Sequence, residues 1–166
     1  MREQTITVKA FDAEHKFKYS WSATLLAQER GWIILYGDWG RLLHHAEGAA
    51  VPITNRSLEF YPVDSPYVIS VLLDRVGELK EYYGRVILPP LIYQSERQIE
   101  FAMLGVDLHV KADFDYEILE SPVLKPSNSG AIQRGLIELV ELIERREGPF
   151  DREFLLPYLQ QARTWF

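Results

Sequence analysis

With 166 residues and 47% hydrophobic residues, the chain is long enough for one ordered domain and too short for two comfortable ones. A net charge of −6 disfavours a broad nucleic-acid-binding surface, because such a surface needs clustered lysine and arginine. The lack of cysteine excludes disulfides, thiolate zinc sites and a cysteine nucleophile. Residues 1–7 lack the apolar run of a signal peptide and no long apolar run follows, so we expect a cytoplasmic protein.

Strand patterns dominate the chain as far as residue 118. Alternating or wholly apolar segments predict strands at 5–10, 17–25, 32–36, 41–46, 57–61, 67–73, 79–88, 104–111 and 114–118. Glycine and proline mark the turns between them, as in Gly37-Asp38 and the segment 62–66. Many short strands with frequent turns favour an antiparallel sandwich or barrel.

The C-terminal part follows a helical period instead. Apolar residues three and four positions apart predict an amphipathic helix of about four turns; they are Ile132, Leu136, Leu139, Val140 and Ile143. The serines and asparagine of segment 126–130 can cap its start, and Gly148-Pro149 is expected to end it. Asp151 can cap a second helix, which Pro157 is expected to kink or shorten.

One face of the strand 104–111 carries ionisable side chains. Asp107, His109 and Lys111 alternate with apolar residues, so they share a face. Asp107 and His109 would project about 6–7 Å apart, a spacing that suits a metal such as Mn, Fe or Zn. The alternative is a solvated face on which His109 and Lys111 pair with Asp115 and Glu117 of the next strand.

Two other features have alternative interpretations. Arg85 lies in an otherwise apolar segment, where it could clamp a phosphate or pair with a carboxylate. His44 and His45 would point to opposite faces of a strand, so at most one could join a given site, and a surface pair is the plainer interpretation. Neither a Gly-rich phosphate loop nor a Gly-x-Ser-x-Gly elbow occurs in the sequence.

Two motifs together resemble the signature of the FomD-like barrel family. They are Tyr82-Tyr83-Gly84-Arg85-(x)3-Pro89-Pro90 and, after a loop, Gly105-Val106-Asp107-Leu108-His109-Val110. In that family the first motif is Tyr-Tyr-Cys-Asn-(x)3-Pro, and the second is Asp-x-Asp-x-Asp. Weaker similarity in Tyr19-Ser20-Trp21, in the aromatic hairpin of 59–69 and in Glu147-Gly148-Pro149-Phe150 extends the resemblance over about residues 16–152. It implies a mainly β fold, an antiparallel β-barrel over 1–122 with two C-terminal helices over 127–166, as a single domain of residues 1–166.

The resemblance also implies a function. Characterised members are divalent-metal phosphohydrolases that act on nucleoside di- and triphosphates or on a cytidylyl ester, and a related domain accompanies an RNA-binding module. Carried over, Asp107, His109 and Glu120 would ligate a divalent metal, either Mg, Mn or a softer ion. Arg85 and Lys111 would stabilise phosphate charge during catalysis, and both would contact the substrate together with Tyr83.

The chain departs from the family pattern at the metal ligands. Arg85 replaces the asparagine, Gly105 and His109 replace two of the three aspartates, and Glu120 replaces a later aspartate. Losing these oxygen ligands weakens a Mg or Mn site. The alternative to hydrolysis is therefore a metal-free anion pocket of Arg85 and Lys111 that binds a nucleotide or an RNA end. A third alternative is a degenerate barrel kept for protein–protein contact through exposed aromatic residues such as Trp39 or Trp165.

Overall fold

The computed structural model describes residues 3–122 and 124–166. Short 3₁₀ turns at Pro126–Asn128 and Gly148–Phe150 precede the two helices. The strands and helices are β1 (Thr5–Phe11), β2 (Phe17–Glu29), β3 (Trp32–Gly37), β4 (Leu42–His45), β5 (Ala50–Pro52), β6 (Arg56–Pro62), β7 (Tyr67–Leu73), β8 (Leu79–Ile87), β9 (Leu91–Tyr93), β10 (Gln98–Lys111), β11 (Tyr116–Glu120), α1 (Ser129–Arg145) and α2 (Arg152–Arg163).

Within the described ranges, seven strands close into a barrel. They follow the order β1-β10-β8-β7-β6-β3-β2, and β2 pairs again with β1. A ring with an odd number of strands cannot alternate in direction all the way round, so one neighbouring pair must be parallel. That pair is β1 with β10, which places Thr7 opposite Gln98. The prediction of a mainly β barrel with two C-terminal helices is confirmed, and the barrel is mixed because of this one parallel pair.

Apolar side chains fill two separate layers, one on each side of the barrel wall. The inner layer includes Val8, Leu35 and Phe101, all buried inside the barrel. The outer layer lies between the wall and the helices, where Leu139 of α1 packs next to Gly84 of β8. A Cβ atom on Gly84 would lie only 3.2 Å from a Leu139 methyl carbon, so the absence of a side chain permits this close approach.

The helix ends differ from the predicted ones. Asn128 occupies the N-cap position of α1, but its side chain makes no capping hydrogen bond. The helix ends before Arg146, which takes the left-handed conformation at φ 54°, two residues earlier than the expected glycine. Asp151 does cap α2 by accepting the Glu153 N–H at 3.0 Å. The helix continues past Pro157 to Arg163, so the predicted shortening is wrong.

An irregularity in β10 positions the polar face described below. Met103 pairs with Ile87 and Asp107 pairs with Arg85, so four residues along β10 lie opposite two along β8. Gly105 lies within this insertion at φ +89°, a conformation that favours glycine. Because the excess is two residues, side chains beyond it keep the same alternation of faces. Neither described helix is long and apolar enough to cross a membrane.

Candidate functional site

An arginine–aspartate pair lies at the centre of the polar face. Arg85 donates from Nε to Asp107 Oδ1 at 3.1 Å and from Nη2 to Oδ2 at 3.4 Å. Its Nη1 donates to the Tyr19 hydroxyl at 3.0 Å and lies 3.1 Å from Met103 Sδ. All three guanidinium nitrogens are therefore engaged, and the cation links β2, β8 and β10.

The surroundings of this pair keep the guanidinium charged. Burial by itself lowers the pKa of Arg85, but the nearby Tyr19 oxygen and the Asp107 carboxylate outweigh it and raise this pKa above its ordinary value. Each side chain of the pair is 33% exposed. The pair is therefore neither a surface ion pair nor fully removed from water.

One side of the pair opens into a cleft of about 640 Å³, here called the Arg85 cleft. Among the residues that line it are Asp12, Lys18, Arg85, Asp107, Glu120 and Lys125. Lys18 lies 3.8 Å from Asp12, and Lys125 lies 3.5 Å from Glu14. Such long, solvent-exposed ion pairs contribute little free energy, so both lysines can turn towards an anion in the cleft at low cost.

The other side of the pair borders a smaller recess of about 130 Å³, the aromatic pocket. Trp21, Tyr61, Tyr83 and Phe101 supply its aromatic walls. Tyr83 is 37% exposed, whereas its neighbour Tyr82 is buried on the opposite face of β8 beneath the helices. Tyr83, Arg85 and Asp107 therefore line one recess.

A buried carboxylate lies beside the aromatic pocket. Glu59 is only 3% exposed and accepts hydrogen bonds from Trp21 Nε1 at 3.0 Å and from the Tyr61 hydroxyl at 2.6 Å. Burial raises the pKa of Glu59, although the charge of Arg41 and the two hydrogen bonds oppose that rise. Sequence reasoning missed Glu59; the available signal was a single acidic residue inside the apolar segment 57–61.

His109 has partners of its own, away from Asp107. Its Nε2 lies 2.7 Å from Glu81 Oε2, and its Nδ1 lies 3.9 Å from Glu117 Oε1. The imidazole stacks on the Tyr83 ring, with 4.9 Å between centroids and 16° between planes. Pairing with Glu117 agrees with the solvated-face alternative, whereas Glu81 was not identified from the sequence.

The residues present do not fit a metal centre. Glu120 is paired with Val106, and Leu119 with Asp107, so the register assigns Glu120 to the opposite face of the ladder from Asp107. No group of three metal-ligating side chains occurs among residues 3–122 and 124–166. The structure therefore does not bring Asp107, His109 and Glu120 together around one ion.

Two other positions reinforce that disagreement. At Gly105, where the family carries an aspartate, a Cβ would lie 2.9 Å from the Leu124 side chain, and the backbone has positive φ. Lys111 is exposed and pairs with Glu81, four residues along β10 from Asp107 and hence about 13 Å away. The predicted role of Lys111 at the phosphate therefore has no support from its position.

Two solved structures resemble the whole fold. No family model matches the sequence, and no curated protein matches it. The phosphatase SC4828 with the non-hydrolysable nucleotide GPCP superposes with a TM-score of 0.77 at 12% identity, over 89% of this chain and 84% of that one. FomD in complex with CDP superposes with a TM-score of 0.74 at 14% identity, over 91% of this chain and 89% of that one. The chain has the FomD-like barrel fold. In this FomD-like barrel, an arginine–aspartate pair occupies the polar face where the family resemblance placed metal ligands.

Proposed function

We propose that this FomD-like barrel binds a phosphate-bearing, nucleotide-like ligand in the Arg85 cleft without a divalent metal. The observation that carries the proposal is the Arg85–Asp107 pair, which holds a permanent cation at the floor of the cleft. The nucleotides bound by the two structural neighbours, GPCP and CDP, support this class of ligand.

The charges around the cleft suit a ligand that has both an anionic and a hydroxyl-rich part. Lys18 and Lys125 can exchange their weak carboxylate partners for phosphate oxygens, which accept charge-assisted hydrogen bonds. Arg85 is a third cation of the lining, although the Asp107 carboxylate that fixes its orientation offsets much of its charge. Glu120 at the border of the cleft can accept hydrogen bonds from ribose hydroxyls or from a base amino group.

Hydrolysis has less support than binding. A metal-assisted reaction needs ligands that hold an ion beside the phosphate and generate the attacking hydroxide. Asp107 already pairs with Arg85, and His109 pairs with Glu81, so neither carboxylate nor imidazole is free for an ion. A guanidinium at the same place would also repel a divalent cation.

Calorimetric titration with CDP, GDP and GTP tests the proposal. We expect the same affinity in EDTA and in Mg²⁺, and a loss of roughly tenfold or more in Lys125→Ala, as expected for a charged hydrogen bond. Arg134→Ala is the matched control, because Arg134 is an exposed cation of α1 that does not line the cleft. Circular dichroism of each variant verifies that the fold is retained.

A phosphate-release assay separates binding from hydrolysis. We expect no release from any of the nucleotides with Mg²⁺, Mn²⁺ or Zn²⁺. Metal-dependent release that disappears in Asp107→Ala would establish the hydrolase instead. Absence of nucleotide binding in both EDTA and Mg²⁺ would overturn the proposal itself.

A further inference from the structure

A separate recess of about 460 Å³ lies where three connections meet at one end of the barrel. These connections are the β3–β4 turn, the β5–β6 connection and the β7–β8 turn. The recess, here called the Trp39 groove, is lined among others by Trp39, Asn55, Arg56, Arg75, Lys80 and Glu81. Its lining combines charged, polar and apolar side chains, whereas aromatic rings dominate the aromatic pocket.

Two cations in the groove are available to a ligand. Arg75 and Lys80 are both exposed, and neither forms an ion pair within the part of the chain that the structure describes. Lys80 is the extra residue of a β-bulge, because Leu72 pairs with Glu81 and Leu73 with Leu79. A bulge redirects a side chain, which explains why Lys80 and its neighbour Glu81 both border the groove.

The acidic side chains of the groove are already engaged. Asp74 accepts the backbone N–H groups of Val76 at 3.0 Å and Glu78 at 2.9 Å, which stabilises its own turn. Glu81 is bonded to His109 at 2.7 Å. Among the lining residues the cations Arg56, Arg75 and Lys80 outnumber the carboxylates Asp74 and Glu81, so the groove is locally cationic even though the whole chain carries a net charge of −6.

Trp39 presents an aromatic face beside these cations. Its side chain is 57% exposed, and no aromatic ring of the described residues packs on it. Trp165, the other tryptophan considered for partner contact, instead packs on Tyr36 at 5.1 Å between centroids. An exposed indole next to unpaired cations has the two elements of a single-strand binding site, a stacking surface and a positive backbone track.

β8 leads from the groove towards the candidate site. Glu81, Tyr83 and Arg85 lie at every second position of the strand and share one face. At about 3.3 Å per residue, Lys80 and Arg85 are roughly 17 Å apart, which is more than one nucleotide spans. The Tyr83–His109 stack lies between them.

We propose that the Trp39 groove binds single-stranded nucleic acid, with a base stacked on the Trp39 indole and backbone phosphates on Arg75 and Lys80. An acidic peptide would use the two cations but not the indole face. This proposal is argued from the residues of the groove alone and does not depend on which ligand binds in the Arg85 cleft.

Fluorescence anisotropy with a labelled ten-nucleotide oligouridine tests the groove. Trp39→Ala should weaken binding roughly five- to hundredfold, the range found when one base-stacking aromatic residue is removed, whereas Trp39→Phe should retain most of it. Arg75→Ala and Lys80→Ala should each lower the slope of log affinity against log salt by about 0.7, because each removes one phosphate contact to a single strand.

Matched controls come from the other faces of the molecule. Arg134→Ala removes an exposed cation of α1, and Tyr93→Ala removes an exposed aromatic ring of β9; neither should change oligouridine binding. The proposal is overturned if the groove variants bind like the unaltered protein, if the controls weaken binding equally, or if oligoglutamate competes as well as unlabelled oligouridine. Calorimetric titration of the unaltered protein with mononucleotides tests binding in the Arg85 cleft separately. The proposal for the cleft and the proposal for the groove can therefore be refuted independently.

Discussion

Neutralising Asp107 should destabilise the barrel, because Arg85 would remain largely buried without its countercharge. Removing one partner of a fully buried ion pair costs about 3–5 kcal/mol, whereas an exposed pair contributes less than about 1 kcal/mol. With both side chains 33% exposed, the pair lies between these limits, and we expect a loss of about 2 kcal/mol for Asp107→Asn. For a chain of 166 residues, this corresponds to a decrease in Tm of about 4–8 °C.

A double-mutant cycle measures the pair directly. Urea unfolding of the unaltered protein, Asp107→Asn, Arg85→Met and the double variant should give a coupling free energy of about 1–2 kcal/mol, with the double variant less destabilised than the sum of the singles. For each of the four proteins, the free energy of unfolding should be the same in EDTA as in Mg²⁺. Additive single effects, or a Tm of the unaltered protein that rises with Mg²⁺, would refute the reasoning that the guanidinium takes the place of a metal.

For three further substitutions, the structure predicts the direction of the change in stability. Because burial raises the pKa of Glu59 above its ordinary value of 4.5, the contribution of neutral Glu59 to stability should be fully present below pH 4.5 and should be lost as pH rises through the folded-state pKa. In urea unfolding measured from pH 4.5 upwards, Glu59→Gln should flatten this decline. Gly135→Ala should destabilise the protein, because the new Cβ would lie 2.6 Å from Val86 Cγ1. Replacing a helical glycine with alanine normally stabilises by about 1 kcal/mol, so the clash reverses the usual effect. Gly130→Ala is the control, because no atom lies within 4 Å of its new Cβ. Gly105→Asp should lower stability by about 1–2 kcal/mol at its positive φ and should produce no metal-dependent rise in Tm.

Periodicity was sufficient to predict most of the strands and both helices. Its main failure is β10, which begins at Gln98, whereas the sequence analysis starts this strand at residue 104 after a polar loop over 91–103. Ile99 and Phe101 alternate there with Gln98 and Glu100, so the strand signal was present. The parallel closure of β1 on β10 has no local signal, since it follows from the number of strands in the ring.

The site was harder to predict because it depends on register. Arg85 and Asp107 were both candidates, but their direct pairing requires the two-residue insertion around Gly105. The register also places Glu120 opposite Val106, on the other face of the ladder from Asp107, although both residues border the Arg85 cleft. A resemblance that maps residues one by one along the sequence carries none of this information.

The parallel pairing of β1 with β10 also constrains how the chain folds during synthesis. Thr5–Phe11 can form a hairpin with β2 early, yet its other edge stays open until Gln98 and the residues after it have emerged. Such a distant pairing is slow, and an open edge can recruit another chain in the meantime. The nascent protein is therefore most prone to aggregate before the strand that completes the ring arrives.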